Sequence, residues 1–262
     1  MTVYNRTAAK AKPLTDAGAQ FASTPAEAVK DASVIISMLA DDTASREVWM
    51  GKEGALAATR KGAILIESST VSPKWIAEFA KIVEQHGADL LDAPVTGSRM
   101  QAEAGQLSFL VGGKDAALSA ATSVLKAMSK ELTHLGPVGS GATMKLINNF
   151  LCGVQVASLA EALTWIERSG LDRDKALSIL QAGAPGSPLL TAISARMASQ
   201  TYTVNFLLKL MTKDLLYAQN EAAQCNVDLR TAEVARTLFE TAIEQGLGDK
   251  DMSSVIEPIR NK

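Results

Sequence analysis

Cysteine is scarce in this chain: the two present, Cys152 and Cys225, lie far apart in 262 residues and match no metal spacing. They read as small buried hydrophobes in a reducing compartment. Aromatics make up only 5 %, too few for base-stacking platforms. Charge of either sign is not in excess. Lys plus Arg is 26 and Asp plus Glu is 28, giving a net charge of -2 and no global basic field for nucleic acid or an anionic membrane. No apolar run approaches the roughly 20 residues of a membrane span. The opening Met1 to Arg6 shows no apolar signal region behind a basic end. These absences point to a cytoplasmic protein without nucleic-acid, membrane or metal partners.

What the chain has is apolar content. Hydrophobic residues reach 47 % against 21 % charged, a globular composition with ample core, and the length suits two domains. The first half alternates strand-like and helix-like segments. Thr2–Tyr4 is a short β-type run, followed by a helix-like stretch to Gly18. Thr24-Pro25-Ala26-Glu27 carries the N-cap, proline and capping-box signals of a helix start. Ser33–Leu39 is a continuous apolar run, as a strand buried on both faces requires. Ala63–Ile66, Ala88–Leu91, Leu107–Val111 and Leu132–Leu135 extend the series, with a helix opened by Ser72-Pro73 and ending near Gly87. Strands separated by helices predict a doubly wound, mostly parallel sheet, with ligands at the C-terminal strand ends.

Near Gly139 the alternation stops. Ser140–Ser169 contains no proline and carries apolar residues at helical spacing, predicting one long helix. Further helices are expected over 172–181, 188–199, 206–224 and 229–245, with a short one from Asp251. The expected division is residues 1–137 and 138–262.

Three segments have chemical potential. Asp92-Ala-Pro-Val-Thr96-Gly97-Ser98 follows a strand and offers N–H groups and hydroxyls suited to a small anion such as a carboxylate. Gly136-Pro-Val-Gly139-Ser-Gly141 precedes the long helix, on which Lys145 and Asn149 share a face. An ammonium so near a helix start works against the helix dipole, so its placement calls for another purpose. It can protonate a carbonyl oxygen as hydride reaches carbon. The third segment, Lys209 to Ala218, reads by itself as an amphipathic helix.

In this order the three segments resemble the β-hydroxyacid dehydrogenase family, which includes 3-hydroxyisobutyrate dehydrogenases and glyoxylate/succinic semialdehyde reductases. The substrate motif D-x-P-V-[ST]-G-[GS] with a following A-x-x-G-x-L matches Asp92 to Ser98, then Ala102, Gly105 and Leu107. The catalytic motif G-x-x-G-x-G-x-x-x-K-x-x-x-N matches Gly136, Gly139, Gly141, Lys145 and Asn149. A K-D-L helix near the cofactor matches Lys213, Asp214 and Leu215. The resemblance implies Lys145 as general acid/base, and Asn149, Thr96, Gly97 and Ser98 as substrate-orienting groups. It implies Leu39, Ala40, Thr70 and Lys213 on the cofactor, with Ala40 replacing the family's proline. It also implies a homodimer or homotetramer.

Asn5-Arg6-Thr7 bears on the dinucleotide. An acid at the second strand end would bind the ribose 2′-hydroxyl, whereas Arg6, flanked by Asn5 and Thr7, suits a 2′-phosphate. NADP is therefore expected ahead of NAD. Two departures stand out. The family's first strand and G-x-G-x-x-G turn have no counterpart here, so Thr2–Tyr4 corresponds to its second strand; either the start is internal to a longer enzyme or the chain is naturally short. The related 6-phosphogluconate dehydrogenases place His where Asn148 stands, and imine reductases carry another residue at the Lys145 position. The leading expectation is an NAD(P)-dependent oxidoreductase acting on a small carboxylic semialdehyde or 2-oxoacid and its hydroxy acid. The alternative is a cofactor-deficient homologue serving as a non-catalytic oligomeric binding protein.

Overall fold

The computed structural model describes residues 1–261, which form two compact units, Met1–Lys145 and Leu146 onward. The strands are β1 (Thr2–Val3), β2 (Gln20–Phe21), β3 (Val34–Ser37), β4 (Ile64–Glu67), β5 (Asp89–Asp92), β6 (Val95–Thr96), β7 (Leu107–Gly113) and β8 (Ser129–Gly136). Between them lie α1 (Lys12–Asp16), α2 (Pro25–Val29), α3 (Asp42–Met50), α4 (Pro73–Gln85), α5 (Arg99–Glu103) and α6 (Asp115–Lys126). The rest is helical: α7 (Ser140–Ser169), α8 (Arg173–Ala182), α9 (Pro188–Ser199), α10 (Leu208–Gln224), α11 (Arg230–Glu244) and α12 (Glu257–Arg260).

Local chemistry sets the helix boundaries. Thr24 Oγ1 accepts the Glu27 N–H at 3.1 Å, while the Glu27 carboxylate reaches back to the Ser23 N–H at 2.9 Å, closing the α2 cap one residue earlier than the sequence pattern indicates. Ser72 Oγ accepts the Trp75 N–H to start α4, and the chain leaves that helix at Gly87, φ +73°.

The main sheet has six strands in the order β3-β4-β5-β7-β6, with β8 beside β7. Pairing is parallel for β3–β4, β4–β5 and β7–β8, and antiparallel for β5–β7 and β6–β7. The mostly parallel expectation thus fails locally at β7. Residues 97–106 are the only chain between β6 and β7, fewer than the dozen or so residues that a parallel crossover needs, so β7 returns antiparallel. The parallel pair β1–β2 forms a separate small sheet. The break between it and β3 falls where the resemblance puts its first strand.

β4 shows why this layer is doubly covered. Leu65 packs with Trp49 of α3 and Trp75, Ile76 and Phe79 of α4, whereas Ile64 and Ile66 face Ala117, Ala121 and Leu125 of α6. Alternate side chains go to opposite faces, and both faces are apolar. Each fully buried aliphatic side chain contributes about 1.5–3 kcal/mol. The second unit is built on Val156, Ala160 and Leu163 of α7, packed with Ile193, Leu215 and Phe239. Contrary to the expectation of no membrane-long apolar stretch, α7 is long and apolar enough to cross a bilayer. Its Val156–Leu163 segment is instead the core of a helical unit. Contrary to expectation, Cys225 is exposed and Cys152 only half-buried, because Cys225 caps the end of α10 and does not face its core side.

The start of α7 is fixed by a buried side chain. Asp92 ends β5, and its carboxylate accepts the Gly139 and Ala142 N–H groups, each at 2.8 Å. Close approach makes this possible: a Cβ at Gly141 would sit 2.6 Å from the Asp92 carbonyl oxygen. Burial pushes the Asp92 carboxyl up to about 6, with the N–H groups of Gly139, Ala142 and Gly141 opposing the rise. A folded-state value above the unfolded 3.8 favours the protonated folded form, so this contribution to stability is full below pH 3.8 and lost as pH rises through 6. Asp92→Asn leaves one of the two amide donors facing an NH2 group and should cost about 1–3 kcal/mol near pH 4. Denaturant unfolding at stepped pH should show the wild-type advantage over that variant shrinking by up to about 3 kcal/mol between pH 4 and 7. A pH-independent difference would remove Asp92 as the titrating group.

Candidate functional site

Two clusters carry the anticipated residues. In the first unit, the Asp92 carboxylate opens one key motif and accepts N–H groups at Gly139 and Ala142 in the other. The Thr96-Gly97-Ser98 turn follows it along the chain, and the α7 turn that it caps leads to Lys145. Lys145 is 9 % exposed, a buried lysine side chain. Gly97 has φ +128°, the backbone shape that lets β6 turn into α5. Ser98 is more committed than the sequence suggests. Its N–H donates to Gln101 Oε1 at 2.8 Å and its hydroxyl contacts the same oxygen, closing a capping box on α5. Thr96 pairs with Ser108 in the β6–β7 ladder.

Leu39, Ala40 and Thr70 are brought together. The Leu39 N–H donates to Ser69 Oγ at 2.6 Å, joining the loop after β3 to the loop after β4 beside Thr70. Asn5, Arg6 and Thr7 follow β1 and are exposed, with Asn5 Oδ1 accepting the Thr7 N–H at 2.9 Å. That bond shapes the turn and leaves the Arg6 guanidinium in solvent.

In the second unit, Asn149 lies one helical turn beyond Lys145 and is 3 % exposed. Its Nδ2 donates to Asp214 Oδ2 at 2.6 Å, and its Oδ1 accepts from Asn148 Nδ2 at 3.0 Å. Asp214, 1 % exposed on α10, also pairs with Lys213 Nζ at 2.9 Å. The Lys213 ammonium lies 4.8 Å from the centroid of the Tyr217 ring. Asn149 and Lys213, given separate roles by the resemblance, thus meet on one carboxylate, Asn149 by a hydrogen bond and Lys213 by an ion pair. Sequence reasoning named neither Asp214 nor Asp92 as functional. The available signal was an acid inside each matched motif, next to a lysine in one and at a strand end in the other.

The residues present fit a nicotinamide dinucleotide in part. Leu39, Ala40 and Thr70 line joined strand-end loops, and Arg6 is a solvent-facing cation with no acid at its strand end. The 262 residues contain no G-x-G-x-x-G turn for the pyrophosphate.

Comparison with known proteins identifies the family. The profile of the NAD binding domain of 6-phosphogluconate dehydrogenase matches residues 1–136, and that described as NAD-binding of NADP-dependent 3-hydroxyisobutyrate dehydrogenase matches residues 139–259. The chloroplastic glyoxylate/succinic semialdehyde reductase 2 of Arabidopsis thaliana is 34 % identical over 260 residues, 99 % of this chain and 73 % of that protein. The mitochondrial 3-hydroxyisobutyrate dehydrogenase of Rattus norvegicus is 35 % identical over 96 % of this chain and 77 % of its own length. Among solved structures, the Mycobacterium tuberculosis 3-hydroxyisobutyrate dehydrogenase with L-serine superposes at TM-score 0.87 and 28 % identity, covering 98 % of this chain and 89 % of that one. The Salmonella typhimurium 3-hydroxyisobutyrate dehydrogenase shares the fold at TM-score 0.90 and 24 % identity, covering 98 % and 90 %. On the identity and coverage of these relatives, the chain belongs to the β-hydroxyacid dehydrogenase family, together with the 3-hydroxyisobutyrate dehydrogenases and the glyoxylate/succinic semialdehyde reductases.

Proposed function

We propose that this protein interconverts a small carboxylic semialdehyde or 2-oxoacid with its hydroxy acid, residues 1–137 holding NAD(P) and residues 138–262 supplying substrate contacts and a subunit interface. The observation that carries the reading is the buried Lys145 side chain, one helical turn from an Asn149 amide that Asp214 holds by a hydrogen bond. When bound, a reduced nicotinamide would supply the hydride and be oxidised in doing so. In the reductive direction the Lys145 N–H bond breaks as a proton passes to the carbonyl oxygen, and the new O–H bond completes the alcohol. In the oxidative direction Lys145 takes that proton back. Asn149 donates to the same oxygen and steadies its developing charge. The Thr96-Gly97-Ser98 turn receives the substrate carboxylate. L-serine, the molecule solved with the Mycobacterium tuberculosis relative, is itself a 3-hydroxy acid, which supports this substrate class.

Leu39, Ala40 and Thr70 of the first unit serve the cofactor, Lys213 of the second is assigned to it by the family resemblance, and Arg6 with Asn5 and Thr7 selects NADP over NAD. The near-complete coverage by enzyme relatives favours this reading over a non-catalytic binding protein. The proposed setting is the cytoplasm, on the scarcity of cysteine, whereas the two relatives above are named for chloroplasts and mitochondria. A homodimer or homotetramer is supported by one face of α7, where Ile147, Leu151 and Trp165 are 47 %, 61 % and 76 % exposed. These three fall within a narrow stripe at helical spacing, an apolar surface that association would cover.

Lys145→Ala should lower kcat by about 10²–10⁴-fold, with NADPH affinity within about twofold of wild type, in assays against a panel of short aldehyde acids. Loss of cofactor binding alone, with full turnover at saturation, would remove Lys145 from proton transfer. Arg6→Ala should raise the KM for NADPH about tenfold, about 1.4 kcal/mol, and leave that for NADH within twofold. Equal effects on both cofactors would discard the phosphate role. The double substitution Leu151→Glu and Trp165→Glu should reduce the mass seen by light scattering to that of one chain. An unchanged mass would place the interface elsewhere.

A further inference from the structure

Glu67 is the last residue of β4 and is fully buried, yet nothing in the proposed reaction uses it. Three donors converge on its carboxylate. Oε2 accepts from Ser45 Oγ at 2.5 Å and from Trp49 Nε1 at 2.9 Å, both on α3. Oε1 accepts the Ser69 N–H at 3.0 Å. Trp75 Nε1 on α4 donates to Ser45 Oγ at 2.8 Å, so two tryptophans and a serine hold the acid from the core side. Burying a carboxylate carries a large desolvation cost, and an apolar residue at a sheet position between Trp49 and Trp75 would avoid it. Besides the two core donors, the carboxylate reaches out of the core to the Ser69 N–H.

Ser69 then passes the constraint on. Its N–H is held by Glu67, and its Oγ accepts the Leu39 N–H. A second carboxylate ties the same loops again: Asp42 Oδ1 accepts the Ser72 N–H at 2.8 Å and Oδ2 accepts the Ser72 hydroxyl at 2.5 Å. Segments 39–42 and 68–72 are therefore cross-linked at two points, and the link nearer the strand ends leads back to Glu67.

We infer that Glu67 is a positioning residue for the cofactor. Through Ser69 it locks the loops after β3 and β4 in the arrangement that presents Leu39, Ala40 and Thr70 to the nicotinamide half of the dinucleotide. This inference rests on the dehydrogenase reading for the identity of the ligand, and on the hydrogen bonds alone for the coupling of the loops. Glutamine at this position can keep its oxygen toward Trp49 or toward Ser69, but not both. The other donor then meets an NH2 group.

The test uses the full chain and two substitutions, Glu67→Gln and Ser69→Ala. Two readouts are taken: NADPH affinity by fluorescence titration, and backbone amide exchange by mass spectrometry. Both variants should raise the Kd for NADPH about tenfold, with the KM for the aldehyde acid within twofold. Both should speed exchange over residues 38–42 and 68–72 at least tenfold while leaving residues 64–66 protected. Ser69→Ala removes only one hydroxyl and decides the matter alone if Glu67→Gln does not fold. An NADPH Kd within twofold of wild type in the folded variants overturns the inference, whether or not exchange quickens. Exchange confined to its wild-type rate overturns it as well. If the wild-type chain binds neither NADPH nor NADH, the dehydrogenase reading fails by itself, and the exchange measurement decides the coupling of the loops.

Discussion

The carboxylate of Asp92, accepting the backbone N–H groups at the start of α7, connects the sheet to the chemistry. A helix start has unsatisfied donors and a partial positive charge, and a buried anion there meets both needs at once. The same contact sets the register of everything downstream on the helix. Lys145 is carried to its place by the first turn, and Asn149 follows one turn later. Gly112 and Gly141 are glycines because the helix start and the strands approach too closely for side chains.

Buried acids repeat this logic elsewhere. Asp214 orients the Asn149 amide and pairs with Lys213. Glu67 holds the Ser69 N–H. In each case an acid outside the proposed reacting set aims a donor that belongs to it or to the loops bearing it. An amide or ammonium free to rotate would lose much of its effect on a reacting oxygen, since orientation supplies a large part of such catalysis.

Much of this was legible in the residues. The apolar runs at Ser33–Leu39 and Ala63–Ile66 read as strands because each is continuously apolar; β4 is indeed buried on both faces, whereas β3 leaves Ile36 38 % exposed. The unbroken stretch to Ser169 read as one helix because it holds no proline. Lys145 and Asn149 stood out through helical spacing after a glycine run. The holding acids did not, because their partners are distant in sequence: 47 residues separate Asp92 from Gly139 and 65 separate Asn149 from Asp214. Spacing rules reach a few residues, whereas these bonds are made by tertiary packing. The reversal of β7 escaped for a related reason, as it depends on the length of a connection and the pairing of the two-residue β6. The commitment of Ser98 to Gln101 was a short-range signal that was present, a capping box, and it was read instead as free donor capacity.

The exposed thiol of Cys225 has a consequence for handling the protein. It stands at the end of α10 in contact with solvent, whereas Cys152 is half-buried. A solvent-facing thiol can be oxidised to a disulfide that joins two copies. Samples stored without a reductant should therefore accumulate covalent dimers, and serine at that position would prevent them without touching the chemistry.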